Sequence, residues 1–449
     1  MVDGSSDFDA KLEARRAALG LTAQPFAKQA PRSTGDEQAR LRDRAIFIAF
    51  SIIAVSVTVF QCIGLPITDD AVIPLAIPVS FISLAVLCWF VPPKINPWRL
   101  VLYFLFVATV GLSTSIFADT YSIASLALLV ALYTPFIFSF QTTEANFRRC
   151  LDMFSVLMIA LAGLEFLQHA MQLVAGPQSW PNPYKLLPEG MLVPNFTYLQ
   201  PIAWGARLNK PQAFVFLEVS FLSQYIALAL LIEILIFRRV KRIVYFSAAL
   251  FATFAGTGLL LLLVSLPLVM GRMPLRNALL VTLVLLMVAG LAAHLGWIDM
   301  VGGRVTEFHK AGGSANHRFI EPFDRIMQSL DRTGSFYSGI GAGQIEKVNN
   351  HQFWPIAKAI VEYGLLPGLL FYAYFLYSMF DRPPHLRLAI VLVIWYTFEG
   401  ALLTAVNPIT CLLSSMILIE RSRRGGERGG NTTAHPTNRP ETEKMTDDF

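Results

Sequence analysis

The residues best suited to chemistry in this 449-residue chain fall in two segments. The first runs Arg207-Leu208-Asn209-Lys210-Pro211-Gln212 and continues as Phe216-Leu217-Glu218-Val219-Ser220-Phe221-Leu222-Ser223-Gln224. Glu218 is expected about two turns inside an apolar helix that begins near residue 213. A carboxylate is costly there, so it needs a cavity or an arginine partner. The second segment holds Arg318, then Gly339-Ile340-Gly341-Ala342-Gly343, then Asn349-Asn350-His351-Gln352-Phe353, then Glu362-Tyr363-Gly364-Leu365-Leu366-Pro367-Gly368. Glycines at alternate positions let a backbone turn tightly and aim several N–H groups at one anion; a plain flexible turn reads the same way. No strand precedes them, so a dinucleotide fold is not the reason for the pattern. His351 stands where the chain enters its next apolar helix, and Asn349-Asn350 can cap that helix. A helix N-terminus with glycine amides beside it favours negative charge and keeps an imidazole near neutral. That suits a general base or a donor to phosphate, with a simple interfacial anchor as the alternative.

The other ionisable groups in apolar surroundings carry weaker signals. Glu165 and His169 are one turn apart and are able to bond to each other. Glu233 can pair with Arg238 or snorkel, and Glu399 and His294 are isolated. Cys62, Cys88, Cys150 and Cys411 are far apart with no CxxC, so neither a disulfide framework nor a zinc site is expected. No metal and no cofactor is expected.

These residues need a frame, and composition describes it. The chain is 54% hydrophobic and 15% charged, where a soluble domain carries about 25% charged residues. Runs of about 20 apolar residues predict an all-α, polytopic transmembrane bundle of about 12 helices. A polar, basic cytoplasmic tail covers 1–44 and is expected to be disordered, as is 421–449. Helices 1–5 fill 45–175, helices 6–9 fill 213–296, and helices 10–12 fill 351–420. Two crowded stretches, 243–271 and 386–420, break near Gly256-Thr257-Gly258 and Asn407-Pro408. Arg and Lys at 94–99, 148–149, 238–242, 272–276, 382–387 and 421–424 mark cytoplasmic turns. Both termini are then cytoplasmic, and two long loops, 176–212 and 297–350, lie outside. Their length marks them as functional. Within the second, Phe319, Ile320, Phe323, Ile326, Met327 and Leu330 form a stripe that predicts an amphipathic helix over 317–332. The net charge of +5 reads as membrane anchoring rather than nucleic-acid binding.

The order of these motifs resembles a known family. The stretch from Arg207 to Gln224 looks like the R…FxEPSFxSQ stretch of Wzy-type exopolysaccharide polymerases, with Val219 in place of the proline. Arg318, the GxGxG, His351 and Glu362-Tyr363-Gly364-Leu365-Leu366-Pro367-Gly368 are similar to the signature of the wider O-antigen ligase and polymerase family, with Pro367 interrupting the usual G-L-L-G. The resemblance covers roughly 200–370 and the topology. It implies a metal-independent glycosyltransferase of GT-C-like architecture in a bacterial inner membrane, with two structured periplasmic loops. Donor and acceptor would be undecaprenyl-diphosphate-linked glycans, and a chain-length-regulating copolymerase would be a partner. His351 or Glu218 would take the acceptor proton. Arg207, Arg318 and Arg325 would bind the leaving diphosphate, with Gly339, Gly341, Gly343, Asn350, Ser220 and Glu362 in support. Three rivals remain open: a ligase using a lipid or protein acceptor, a metal-dependent GT-C enzyme using Asp69-Asp70, and a transporter or flippase whose buried glutamates relay protons.

Overall fold

The computed structural model describes residues 34–68, 71–177, 179–180, 188, 190–193, 199–202, 207–271, 316, 320–331, 335–345, 353–399 and 402–420. Residues Met1–Ile419 form one compact unit, and Glu420–Phe449 form a second of which only Glu420 is described. The first unit is mostly helical, with fourteen α-helices among the described residues.

Local chemistry sets several helix boundaries. The first helix, α1 (Thr34–Val59), leads through a hairpin, β1 (Gly64–Thr68) and β2 (Ala71–Pro74), to α2 (Ala76–Phe90). A two-residue strand, β3 (Lys94–Ile95), precedes α3 (Pro97–Phe117). Asn96 caps α3, accepting from Trp98 N at 2.9 Å, and Pro97 fills the first helical position. Ser122 caps α4 (Ile123–Tyr133) in the same way, through Ser125 N at 3.2 Å. After β4 (Phe138–Thr142), Thr143 caps the long α5 (Glu144–Ala175), which stops at Gly176 with φ 90°. Next come α6 (Val219–Ile232), extended by a π turn through Phe237, then α7 (Val240–Ala252) and α8 (Gly256–Met270). The remainder is α9 (Glu321–Asp331), α10 (Ser335–Ser338), α11 (Pro355–Tyr363), α12 (Leu365–Phe380), α13 (Leu386–Glu399), α14 (Val406–Ser415) and β5 (Ile417–Ile419).

Among the described residues, three helices are long and apolar enough to cross a membrane: Pro97–Phe117, Glu144–Ala175 and Val219–Phe237. Exposed Trp89, Trp98, Phe104, Ile116 and Val174 give the unit an apolar outer surface, as lipid contact requires. The two crowded stretches are pairs of short helices. One pair is α7 and α8, of 13 and 15 residues; the other is α13 and α14, of 14 and 10 residues. At 1.5 Å per residue the longest of these reaches about 22 Å, short of the roughly 30 Å hydrocarbon layer.

Connections meet in two groups. Among the basic segments, Asp43 accepts from Thr142 at 2.8 Å and Thr143 at 2.6 Å. Strand β3 pairs with β4, and β4 pairs with β5. Arg99, 2% exposed, is the main tie. Its Nε bonds Asp381 Oδ2 at 3.2 Å, Nη1 bonds Ser415 O at 2.9 Å and Phe136 O at 3.2 Å, and Nη2 bonds Asp381 O at 3.2 Å. Glu233 is fully buried but takes Arg239, not Arg238, as partner, at 2.6 and 2.8 Å. Arg238 has a left-handed backbone, φ 59°, and its amide closes on the Glu233 carbonyl. The fork of Arg239 also reaches Asp152, which Arg242 shares at 2.8 Å. Hydrogen bonding to Glu233 raises the Arg239 pKa above its ordinary value. Described connections at the other ends of α1 and α3 form the second group. Gly64 N donates to Met191 O at 2.7 Å, Val193 N to Cys62 O at 3.0 Å, and Ser122 N to Ala342 O at 2.9 Å.

The hairpin β1–β2 and the three small strands β3, β4 and β5 depart from an all-helical expectation. They are two to five residues long and join neighbouring connections, so no periodicity announces them.

Removing the Arg99 tie has a defined cost. Arg99→Ala should destabilise the fold by about 3–5 kcal/mol, the usual loss when one member of a buried ion pair is deleted. Arg99→Lys should fail as well, because one ammonium cannot serve a carboxylate and three carbonyls spread over separate elements. Detergent-extracted yield and melting temperature measure both.

Candidate functional site

The GxGxG segment is built into the bundle as a wedge. Gly339, Gly341 and Gly343 all have positive φ, at 75°, 105° and 69°. Ile340 N donates to Val361 O and Gly341 N to Glu362 O, each at 2.9 Å. Two amides that an anion would need are therefore committed to the end of α11. A Cβ on Gly339 would strike the Glu362 carbonyl, one on Gly341 the Thr120 carbonyl, and one on Gly343 the Ser125 hydroxyl. From the other side Gly364, φ 92°, lets α11 turn into α12 with the Tyr337 carbonyl where its Cβ would be. Ser113 on α3 reaches both sides of the wedge, its one hydroxyl proton shared between Ser338 O and Tyr363 O, the latter at 2.8 Å. Thus the GxGxG and the Glu362-Tyr363-Gly364 turn are two halves of one joint, closed against the α3–α4 connection.

Glu362 anchors that joint with its side chain as well. It is fully buried; Oε1 accepts from Ile345 N at 3.3 Å and lies 3.9 Å from Lys358 Nζ, one turn earlier on α11. Sequence reading did not single out Lys358, which is 3% exposed. Its signal was the i, i+4 spacing to Glu362 within a short apolar helix.

The amphipathic stretch predicted over 317–332 is helical from Glu321 to Asp331 and packs beside this joint. Ile326 and Ile340 cover a small core of Ile345, Phe353 and Val361. The Phe323 ring meets Trp354 edge-on at 5.0 Å, while Met327 stays 60% exposed. Arg325 lies on this helix. Arg318, Asn350 and His351 lie outside the described residues.

Glu218 is not inside a helix. Helix α6 starts at Val219, not near 213, and Glu218 is its extended N-cap residue, φ −146° and ψ 163°. The shift has a visible cause. Ala213 and Phe214 have left-handed backbones, φ 49° and 68°, which no helix tolerates. Buried glutamines then supply the bonds the missing helix would have made. Gln172 Oε1 accepts from Asn209 N at 2.7 Å, Gln168 Oε1 from Gln212 N at 3.0 Å and Ala213 N at 3.2 Å, and Gln61 Oε1 from Leu217 N at 3.4 Å.

At the start of α6, Ser220 Oγ donates to Glu218 Oε2 at 3.2 Å. Ser223 Oγ lies 3.0 Å from Thr257 Oγ1, and Gly258 N donates to Ser223 Oγ at 3.2 Å. A Cβ on Gly258 would overlap the Ser223 carbonyl, so α8 approaches α6 at backbone distance. The break expected at Gly256-Thr257-Gly258 lies slightly earlier, at Thr253–Ala255. Arg207 is exposed at the start of this segment. Glu165 and His169 do not bond to each other: His169 Nε2 bonds Ala252 O at 2.8 Å. That partner only accepts, so Nε2 carries the proton.

The structure thus brings Gly339, Gly341, Gly343 and Glu362 together, and Glu218 with Ser220. No cluster of three or more metal-ligating side chains occurs among the described residues. Comparison of the chain with protein families, with curated proteins and with solved structures gives no match.

Two glycines make a paired test of the joint. Gly341→Ala combines left-handed strain of about 1–3 kcal/mol with collision against Thr120, and should lower the melting temperature sharply. Gly111→Ala, mid-helix with open space at its Cβ, should be neutral or stabilise by up to about 1 kcal/mol. Thermal unfolding of both purified variants measures the difference.

Proposed function

We propose that the protein joins undecaprenyl-diphosphate-linked repeat units into an exopolysaccharide, on the outer face of a bacterial inner membrane. The observation that carries this reading is the joint between the GxGxG and the Glu362-Gly364 turn. It ties the helix that follows Arg318 and the helix that follows His351 into one packed body. Positioned catalysis requires a rigid support of this kind, and Arg318 and His351 precede these two helices in the sequence.

The orientation is supported by the two groups of connections. Basic segments bond to one another, while the GxGxG wedge, the hairpin β1–β2 and the Arg207 segment belong to the other group. A lipid-linked donor brings its own activation, so no nucleotide site is needed. In the proposed reaction a hydroxyl of the acceptor sugar attacks the reducing-end carbon of the donor glycan. The bond from that carbon to the diphosphate oxygen breaks, and the lipid diphosphate leaves with both bonding electrons. The hydroxyl proton passes to His351 or Glu218. Arg207, Arg318 and Arg325 offset the charge that develops on the diphosphate. The about 12 helices of a GT-C-like bundle are part of the same proposal, as is a copolymerase partner that sets chain length.

Deleting the protein in its own host should leave single lipid-linked repeats unjoined. Arg318→Ala, Arg207→Ala and His351→Ala should each reduce polymer by on the order of 100-fold while the protein still inserts. Arg318→Lys should fail too, since an ammonium does not replace a planar fork. Full polymer from Arg318→Lys counts against the diphosphate clamp. Joined chains that fail only to reach a final lipid or protein acceptor indicate a ligase, and reconstituted protein that moves lipid-linked sugar without bond formation indicates a transporter.

A further inference from the structure

Helix α9 (Glu321–Asp331) presents three faces, where an amphipathic helix packed on a soluble core presents two. At about 3.6 residues per turn, Pro322 and Ile326 lie one above the other and face the protein. Pro322 is buried, and Ile326 covers the small core of Ile345, Phe353 and Val361. Ile320, just before the helix, and Phe323 and Met327 on it form a second arc beside the first. They are apolar, yet 41%, 52% and 60% exposed. Asp324 and Gln328 form a third arc beyond the second, and both are exposed. The exposed apolar arc therefore lies between the protein-facing arc and the polar one.

That order selects the surroundings. A helix capping the bundle in water would leave the middle arc wet, and one immersed in hydrocarbon would bury the polar arc at a cost. Protein on one side, hydrocarbon beneath and water above use all three arcs.

The exposed apolar arc is also continuous with the outer wall of the bundle. Helix α10 (Ser335–Ser338) touches α9 on one side and α3 and α12 on the other. Its Tyr337 is 72% exposed, and the Tyr337 carbonyl lies against Gly364 at the start of α12. Exposed Leu366 and Leu369 follow on α12. Ser113 of α3 bonds to the Ser338 carbonyl, and the last residues of α3, Ile116 and Phe117, are exposed as well. An apolar band thus runs from a membrane-crossing helix through Tyr337 to Phe323 and Met327. A tyrosine at such a boundary suits the headgroup level.

Depth follows from α3. Its start and the end of α12 are joined by Arg99 and Asp381 among the basic connections. Over its 21 residues α3 spans about 32 Å, close to the roughly 30 Å hydrocarbon layer. Its far end, where α10 and α9 sit, therefore stands at the opposite lipid–water boundary.

We propose that α9 is an interfacial helix: the Ile320–Phe323–Met327 arc enters the lipid leaflet opposite the basic connections, the Asp324–Gln328 arc faces water, and Ile326 holds the GxGxG joint at headgroup level. The partner is the bilayer surface itself.

Full-length protein in phosphatidylcholine nanodiscs tests this with one nitroxide label at a time, in a Cys88→Ala background because the other three cysteines are buried. Phe323→Cys and Met327→Cys carry the label on the apolar arc, Asp324→Cys and Gln328→Cys on the polar arc; all four positions are exposed. Power saturation compares collision with oxygen, which concentrates in lipid, and with a water-soluble nickel chelate. The oxygen-to-nickel ratio should be severalfold higher at 323 and 327 than at 324 and 328. Ile320→Cys repeats the apolar arc if either of its variants folds poorly, and Glu321→Cys does so for the polar side. Nickel access at all four positions overturns the proposal, because the helix is then a cap in water. A high oxygen ratio at all four overturns it too, placing the helix in the bilayer core. Shielding of 323 and 327 from both reagents also overturns it, since a second copy or another protein then covers the arc. The readout needs no polymer, so it stands or falls apart from the polymerase reading.

Discussion

A peptide backbone that leaves the helix inside an apolar bundle must find other partners for its N–H groups, because no water replaces them. The stretch from Asn209 to Leu217 meets that constraint through Gln61, Gln168 and Gln172, each aiming its amide oxygen at a main-chain amide. Much follows from it. With the chain held extended to Glu218, helix α6 begins only at Val219, and its first turn faces Thr257 and Gly258 at the start of α8. Had the helix begun near 213, Glu218 would sit at depth in the span, away from any helix end. As an N-cap residue it stands instead at the positive end of the α6 dipole, close to Ser220.

The GxGxG joint meets the same constraint by a different route. There the irregular backbone bonds to other backbone, Ile340 and Gly341 to Val361 and Glu362, and glycine makes the approach possible. Of the glutamine clamps, Gln61 returns its Nε2 to Val57 O at 2.6 Å, whereas Gln168 and Gln172 leave theirs without an acceptor. Glycine joints leave nothing over. The first device therefore produces a surplus of buried donors in the α5 region, whereas the second produces a rigid support. On the basic side neither device is used: the guanidinium of Arg99 reaches two carbonyls and Asp381, and Arg239 and Arg242 bracket Glu233 and Asp152.

The legible parts of the sequence were those with long periodicity or a strong local cap. Apolar runs located α3, α5 and α6, and the stripe around Phe323 and Ile326 located α9, but the apolar run over 352–380 read as one helix, and the break at Gly364 that parts α11 from α12 went unseen. Glu218 was misplaced because Phe214 to Leu217 is apolar enough to extend the helix, and nothing local reports the left-handed backbone at Ala213 and Phe214. Glu233 was given Arg238 because adjacency was the only guide; a π turn carries Arg239 around to it instead. The glutamines were overlooked for a related reason. An uncharged amide in an apolar helix raises no alarm until the backbone it must serve is known.

Burial ranks the helices in a way that bears on where function can lie. Over its apolar window α6 is 78% buried, against 44% for α5 and 28% for α3. Helix α6 is therefore the axis, and α3 faces outward. The short pairs α7–α8 and α13–α14 pack against that axis, and Tyr225 on α6 bonds Thr410 on α14. The second pair begins beside Asp381 and ends at Ser415, both of which Arg99 holds, so it enters and leaves on the basic side. Helices too short to cross, gathered around a buried axis, stop short of the opposite side. Space at the other end of α6 is then filled by connections: the Arg207–Glu218 segment and the break before α8. Broken backbone at membrane depth is tolerated only where protein or a water-filled cavity covers it. The end of α6 that carries Glu218 is thus the place where this bundle trades regular helix for polar, irregular chain, and chemistry on a lipid-linked substrate requires such a place.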